Sequence, residues 1–388
     1  MIKDNNNCTG CAACMNACPH NAIKIEYDRT EGFLYPEISS DNCVDCGICV
    51  KVCDRAVSLK RNIPIESYTA HHIKYKEYPY SLSSSGAIFP ALASTVIERG
   101  GVVYGARYSD SFDRVFHDKA TTASELVRFQ GSKYVQSEIG NIYREVGSDL
   151  KGGLTVLFSG TPCQVAGLRA YLGKEYDNLY TVDVVCHGVG QKDILFDNIN
   201  ELSGNKKTIG VNLRSKSLGY MNHSMAVSLD DNDIVTAKWI ESPFCSGFVN
   251  NLILRPSCGQ CVFATPDRTS DITLMDNWDF CRGDEKQYGS SIVLINTSRG
   301  QELYRSCSSL IVLSPIEFSL VKKRVYNLNR PTVFHYQRKK VFRRYKKGGY
   351  KKIRRMMFSP MQARFSLKYK IKRTKKRVLR RLKILFHK

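Results

Sequence analysis

Eight of the fifteen cysteines fall in two copies of one spacing. Cys8, Cys11, Cys14 and Cys18 are separated by two, two and three residues, and Cys43, Cys46, Cys49 and Cys53 repeat the interval. A run of this kind wraps a cubane iron–sulfur cluster: thiolates two residues apart cap three corners, and the fourth cysteine reaches across to the neighbouring cube. The expected sets are therefore Cys8, Cys11 and Cys14 with Cys53, and Cys43, Cys46 and Cys49 with Cys18. Zinc ribbons use pairs of C-x2-C rather than triplets, and a disulfide framework this dense belongs to a small secreted chain.

Residues 5–60 resemble a bacterial two-cluster ferredoxin. Each cysteine run is followed by a short strand-like stretch, Ala22–Tyr27 and Ala56–Lys60, and Phe33–Ile38 suits a further strand between them. One departure is that Asp54, not proline, follows Cys53, whereas Pro19 follows Cys18. Proline there would fix the turn and remove one N–H.

A second cysteine set is dispersed: Cys163 in Ser-Gly-Thr-Pro-Cys-Gln, Cys186 in Cys-His-Gly, and the pair Cys258 and Cys261. Spacing alone leaves three readings open: a third cubane, a zinc site with the same four ligands, or idle buried thiols, which are common. Cys245, Cys281 and Cys307 read as packing residues.

The elements that must position these groups form an alternating series. A Ser/Gly loop at 81–86 leads into an apolar helix, Ala87–Arg99, closed by Gly100-Gly101 as a helix end should be. Strands are expected at Val102–Arg107, Leu154–Phe158 and Thr181–Val185, with helices at Ile139–Lys151 and Gln164–Leu172. Further strands are expected at Ile209–Leu213, Met225–Leu229, Ile234–Trp239, Asp271–Met275 and Ser291–Asn296. Alternating strands and helices predict an α/β body, with ligands at the loops beyond the strand C-termini.

Five ordered motifs carry a second resemblance. They are Ser83-Ser84-Ser85-Gly86, Gly131-Ser132-Lys133-Tyr134-Val135-Gln136-Ser137, Phe158-Ser159-Gly160-Thr161-Pro162-Cys163-Gln164, Cys186-His187-Gly188-Val189, and Cys258-x2-Cys261 followed by Ser270–Leu274. Over residues 76–310 the chain is similar to the coenzyme F-420 hydrogenase/dehydrogenase beta-subunit family. The resemblance implies FAD, a third 4Fe-4S cluster on Cys163, Cys186, Cys258 and Cys261, and passage of electrons between clusters and a soluble acceptor through the flavin. Ser84, Ser85, Gly86, Gly131, Ser132, Lys133, Tyr134, Gln136, Thr161 and Pro162 are the expected flavin contacts. Of these, Gly131-Ser132-Lys133 offers an open backbone, a hydroxyl and a cation for a pyrophosphate, and Tyr134 a ring to stack. No G-x-G-x-x-G follows a strand, so a Rossmann-type grip is not expected. Asp276 and His187 are the candidate catalytic residues, one beside the flavin and one as a proton relay titrating near neutrality; a structural carboxylate and a packed ring are the plain alternatives. Many relatives read Ser-Gly-Gly where this chain has Ser85-Gly86-Ala87, and Gly-Asp-Phe-Trp-Gly where it has Met275-Asp276-Asn277-Trp278-Asp279.

At 388 residues the chain exceeds one ferredoxin and has length for a large core. The expected organisation is a two-cluster ferredoxin domain at 1–60 of α+β ferredoxin-like class, a linker at 61–78, an α/β flavin-binding body at 79–155 and 156–320, and a basic helical or disordered tail at 321–388. The N-terminus reads without a signal peptide and no run reaches ~18 apolar residues, so a cytoplasmic location is expected. The net charge of +22 is concentrated: 23 of the 58 Lys and Arg lie between Arg338 and Lys388, where there is no Asp or Glu, and the rest is near neutral. Phe365, Tyr369, Leu379, Leu382, Leu385 and Phe386 punctuate that run at helical spacing. The tail suits an anionic membrane surface at the inner face of the membrane or an acidic redox partner; a solvated extension is the plain alternative. No nucleic-acid fold accompanies it. The expected partners are a redox protein, such as a ferredoxin or an oxidoreductase subunit, and a small-molecule acceptor. A radical enzyme built on S-adenosylmethionine is excluded, since no C-x3-C-x2-C occurs.

Overall fold

A computed structural model describes residues 7–204 and 206–358. The N-terminal segment holds helix α1 (Ala13–Ala17), strands β1 (Ile23–Tyr27) and β2 (Leu34–Ile38), and helix α2 (Ile48–Ser58). β1 and β2 pair antiparallel with Ile23 opposite Ile38. The strand expected at Ala56–Lys60 is instead the end of α2. Cys49, Val52, Cys53 and Ala56 follow the i, i+3, i+4, i+7 pattern of one helical face, and Val52 and Ala56 are buried.

Residues read as a linker also take on structure. β3 (Glu66–His72) lies inside an eight-stranded sheet, between β12 (Ser291–Ile295) and β13 (Ile311–Pro315). The other strands are β4 (Val102–Tyr108), β5 (Val115–Ala120), β6 (Val156–Ser159), β7 (Leu179–Val184) and β11 (Ile272–Asp276). Their order is β13-β3-β12-β11-β7-β6-β4-β5. β4, β6, β7 and β11 run parallel at the centre, and the flanking strands are antiparallel. Between β7 and β11 the chain makes a three-stranded antiparallel sheet, β8 (Thr208–Ser215), β9 (Ser224–Leu229) and β10 (Ile234–Lys238). The body is therefore mixed α/β, with one sheet running across the boundary expected near residue 155.

Period-2 alternation sends successive side chains to opposite faces. Val102, Tyr104, Val156 and Phe158 pack against α4 (Ile142–Lys151) and α5 (Pro162–Leu172). Val103, Leu157 and Val182 pack against α3 (Ile88–Glu98) and the helix Ser298–Ser306. α5 starts on a capping box in which Thr161 and Gln164 satisfy each other's backbone N–H groups, with Pro162 in its first turn and Gly173 at φ 69° closing it.

The N-terminal segment shares the core of the body. Ala12, Ala13, Cys14, Val52 and Ala56 pack with Val165, Leu168 and Ala170 in one cluster. Among the described residues the tail contributes the basic helix Arg338–Ile353, interrupted at Gly348 and Gly349, which lie outside helical geometry. The apolar positions expected from Phe365 to Phe386 lie outside the described residues. No described helix is long and apolar enough to cross a membrane.

Candidate functional site

The loops beyond β6, β7 and β11 converge on one cavity of about 680 Å³, within the usual range for small-molecule and cofactor sites. Cys163 enters from the first turn of α5, Cys186 from the end of β7, and Cys258 and Cys261 from the 3-10 turn Pro256–Gln260 and its end. The four thiols are mutual electrostatic neighbours. Burial, reinforced by Cys261, Cys11 and Cys258, pushes the Cys163 thiol up to about 12. Burial raises Cys186 strongly, reinforced by Cys258, Cys163 and Cys261. As neutral thiols these four need no counter-charge; ionised together, as metal ligands are, they would need a positive group among them. Among the described residues no three His, Cys, Asp or Glu side chains sit close enough to hold one metal ion. A zinc, with sulfurs at about 2.3 Å, would need the set to draw inward.

The first cysteine run lies against this set. Burial raises the Cys14 thiol, with further contributions from Cys11, Cys8 and Cys53, so Cys53 lies near the first run. Cys11 also raises Cys163, and a Cβ on Gly167 of α5 would stand 3.1 Å from the Cys11 sulfur. In the second run, Cys43 and Cys46 are exposed.

Arg255 clamps the first run in place. It is 1% exposed. Its Nε donates to Cys8 O at 2.9 Å, Nη2 to Leu34 O at 2.8 Å and Nη1 to Gln136 Oε1 at 2.6 Å, with the guanidinium 4.3 Å from the Tyr35 ring centre. Gln136 Nε2 donates to Gly10 O at 2.8 Å. Gly10 is held at φ 67°, and a side chain on it would collide with Gln136 and Arg255. Arg144 adds bonds to Asn16 O and Cys18 O, each 2.9 Å.

Several expected flavin contacts are thereby given other work. Gln136 is part of this clasp. Lys133 donates to the carbonyls of Arg128, Phe129 and Gln130 at 3.3, 3.0 and 2.9 Å, so its ammonium caps a helical turn; burial pulls its pKa down to about 7. Thr161 and Pro162 start α5, and the Thr161 hydroxyl lies 3.1 Å from the Cys163 sulfur. Gly86 passes so close to Ala70 O and Ser291 N that a Cβ would collide there. Tyr134 has its ring packed on Trp239 and Phe248, 5.4 and 4.7 Å between centres. Ser84 and Ser132 join the two loops, hydroxyl to hydroxyl at 2.9 Å, and Ser85 meets Ser291 at 2.8 Å. Gly131 remains an open cradle, at φ 77° with Leu82 O 3.5 Å from an added Cβ. All of these except Gly86 line the cavity.

Of the candidate catalytic pair, His187 has both ring nitrogens engaged, Nδ1 3.2 Å from Asn327 Oδ1 and Nε2 2.7 Å from Asn251 Oδ1. Asp276 is paired with Arg214, a residue that sequence reasoning misses because the apolar pattern of its strand ends at Leu213. Arg214 is 4% exposed, and its Nη1 donates to Asp276 Oδ2 at 2.7 Å and Tyr134 Oη at 3.1 Å. It lies 4.5 Å from the Trp278 ring centre and 5.3 Å from that of Trp239. His223 stacks on Trp278 at 4.5 Å, and burial pulls its pKa down to about 4. Arg214 Nη2 and His223 Nδ1 are buried without hydrogen-bond partners, and both residues line the cavity. Buried polar atoms rarely stay unpaired. A cavity with an open glycine cradle, aromatic walls and two unpaired polar atoms fits a planar polar cofactor or substrate. Both tryptophans of the chain stand here, which was the signal available in the sequence.

The Ser270–Leu274 motif is structural. Asp271 Oδ2 accepts from Thr181 N and Arg169 Nη2 at 2.8 and 3.0 Å, and Thr273 donates to Asp183 at 2.6 Å, so the motif ties β11 to β7.

Residues 153–317 match the family model for the C terminus of the beta subunit of coenzyme F420 hydrogenase/dehydrogenase. Residues 7–57 match the model of a 4Fe-4S dicluster domain. No curated protein matches the chain. Among solved structures, a polypeptide of the F420-reducing NiFe hydrogenase complex from Methanosarcina barkeri, in a xenon-derivatised form, aligns at TM-score 0.47 and 16% identity, over 74% of this chain and 94% of that one. Residues 7–57 are thus similar to a 4Fe-4S dicluster domain, and residues 153–317 to the C-terminal domain of the F420 hydrogenase/dehydrogenase beta subunits.

Proposed function

We propose that the chain is an iron–sulfur flavoprotein oxidoreductase carrying three 4Fe-4S clusters and FAD, and that it passes electrons between the clusters and a small-molecule acceptor or donor, coenzyme F-420 or another reducible metabolite. One observation carries the reading: a single cavity holds Cys163, Cys186, Cys258 and Cys261, the open cradle at Gly131 and the Arg214–Asp276 pair. The clusters are assigned to Cys8, Cys11, Cys14 and Cys53; to Cys18, Cys43, Cys46 and Cys49; and to the four cavity cysteines.

A bound flavin exchanges single electrons with clusters and an electron pair with an acceptor. The residues around it divide the remaining work. The Ser84 and Gly131 loops are joined by the two serine hydroxyls and by Ser132 N donating to Ser84 Oγ at 2.8 Å, and the open backbone at Gly131 leaves room for the phosphates. The Thr161 hydroxyl donates to Gln164 Oε1 at 3.0 Å and lies 3.1 Å from the Cys163 sulfur, a polar neighbour of the kind that tunes cluster potential. Tyr134, Trp239, Phe248 and Trp278 exclude water from the inner end. There Arg214 Nη2 presents an unpaired donor, which orients a carbonyl or other acceptor group on the molecule being reduced or oxidised. Asp276 balances the Arg214 charge rather than moving a proton.

A second reading, a non-catalytic electron-transfer subunit, is favoured by the exposure of Cys43 and Cys46, which would open the outer cluster to a partner enzyme. Anaerobic purification with iron, sulfide and released-flavin assays on one sample tests both. About twelve irons and one FAD per chain support the flavoenzyme; about eight irons without flavin leave the electron-transfer subunit. In Cys163→Ala iron should fall by about one third, and unchanged iron would refute the assignment of Cys163.

A further inference from the structure

We propose that the basic helix Arg338–Ile353 and the turn after it form the docking surface for an acidic one-electron carrier protein, seated beside the Cys8 end of the first cysteine run. The proposal rests on the cluster assignment above for what the docked protein would reduce or oxidise.

Two interpretations compete for a basic amphipathic helix. A helix that lies in a lipid surface must offer its apolar face to the acyl chains. Here that face is already spent on the protein: Val341, Phe342, Ile353 and Met357 are at most 4% exposed. The helix is also pinned along its length. Tyr345 Oη bonds Asp197 at 3.0 Å, Tyr350 Oη bonds Glu201 at 2.9 Å and Arg354 pairs with Glu201 at 2.8 Å. What remains outward is charge alone: Lys339, Lys340, Arg343, Arg344, Lys346 and Lys347 are turned to solvent. A rigid, single-signed field of this kind steers an oppositely charged protein and speeds encounter.

The helix stands where such steering serves electron transfer. Arg338 pairs with Glu31 and donates from Nε to Leu254 O at 2.8 Å, one residue from the Arg255 clamp. Phe342 meets Phe33 at 6.0 Å between ring centres, and Cys8 packs against the cluster that Phe33, Tyr35 and Phe342 form. A carrier held on the helix therefore sits next to the first cluster, which adjoins the cavity cysteines through Cys11.

The test uses the full-length holoprotein under anaerobic conditions, comparing reduction by a small acidic ferredoxin with reduction by dithionite. The variants are Lys339→Glu/Lys340→Glu/Arg343→Glu/Lys347→Glu and the same four positions changed to Gln, each checked for wild-type iron content. The expected result is a fall of at least about tenfold in the ferredoxin rate at low salt for the Glu variant, a smaller fall for the Gln variant, and a flattened salt dependence in both. Dithionite reduction should be unchanged, which separates this proposal from the cluster assignment: absent cluster reduction by dithionite would defeat the latter. A wild-type ferredoxin rate in the Glu variant overturns the docking surface. So does loss of binding to phosphatidylserine vesicles with no change in the ferredoxin rate, which would make the helix a membrane-surface element instead.

Discussion

Replacing Arg255 by Ala should loosen the N-terminal segment while leaving the sheet intact. The side chain makes three hydrogen bonds of 2.6–2.9 Å, to Cys8 O, Leu34 O and Gln136 Oε1. Bonds to a charged donor contribute about 1.5–3 kcal/mol each, and acceptors left buried add their desolvation cost. The bonds share one group and are not additive, so we take about 4 kcal/mol for the whole clamp. At 1.4 kcal/mol per decade this shifts the equilibrium between closed and opened segment by roughly a thousandfold. The assay is iron loss from the anaerobic holoprotein to a chelator, in the regime where removal tracks the opened population. Iron from the first cluster should be lost about a hundred to a thousand times faster in Arg255→Ala. Arg255→Lys, which keeps charge but not the three-way fork, should fall between. Gln136→Ala should show a smaller effect that is not additive with Arg255→Ala, because the two side chains bond each other. Iron-release rates in Arg255→Ala equal to wild type would refute the view that this clasp holds the cluster segment to the body.

Ala87 sits in the left-handed region at φ 58°, where an L-residue costs about 1–2 kcal/mol and glycine does not; after the entropy of the added glycine, Ala87→Gly should stabilise by about 0.5–1 kcal/mol, read as a higher urea midpoint. Lys133 has its pKa depressed to about 7 in the folded state, so the unfolded chain binds the extra proton between that value and about 10.4. The wild type should therefore gain stability relative to Lys133→Met as pH rises from 7 to 10, and a constant difference across that range would contradict it. Arg214→Met strands Asp276 beside a buried apolar surface and should cost about 2–3 kcal/mol, whereas the double change Arg214→Met/Asp276→Leu should recover much of that loss; equal destabilisation of single and double variants in urea would show that the pair is not coupled.

Motifs that work through consecutive residues are legible in the sequence, and arrangements that depend on distant chain segments are not. The cysteine runs announce their chemistry because a cubane is capped by residues two apart, and the match of residues 7–57 to a 4Fe-4S dicluster domain agrees with that reading. α3, α4 and α5 are legible because each combines an apolar stripe with a capping residue or a terminal glycine. β3 reads as linker because its polar residues and its two histidines hide an alternation that has meaning only between β12 and β13. Ala56–Lys60 looks like a strand because the repeat pairs each cysteine run with one, while its true constraint is the face that Cys49, Val52 and Cys53 must present to α5. The family motifs locate the cavity but misassign labour within it. Lys133, Gln136 and Thr161 are the polar residues one would nominate for a phosphate, yet each is consumed by a carbonyl, a clasp or a cap that the chain needs in order to bring its segments together. The groups left over, the Arg214 Nη2 and His223 Nδ1 atoms, come from the inserted β8–β10 sheet and carry no motif. An unpaired buried polar atom is a property of the folded environment. On the proposed function, recognition at the inner end of the cavity would fall to an element whose sequence reads only as three ordinary strands.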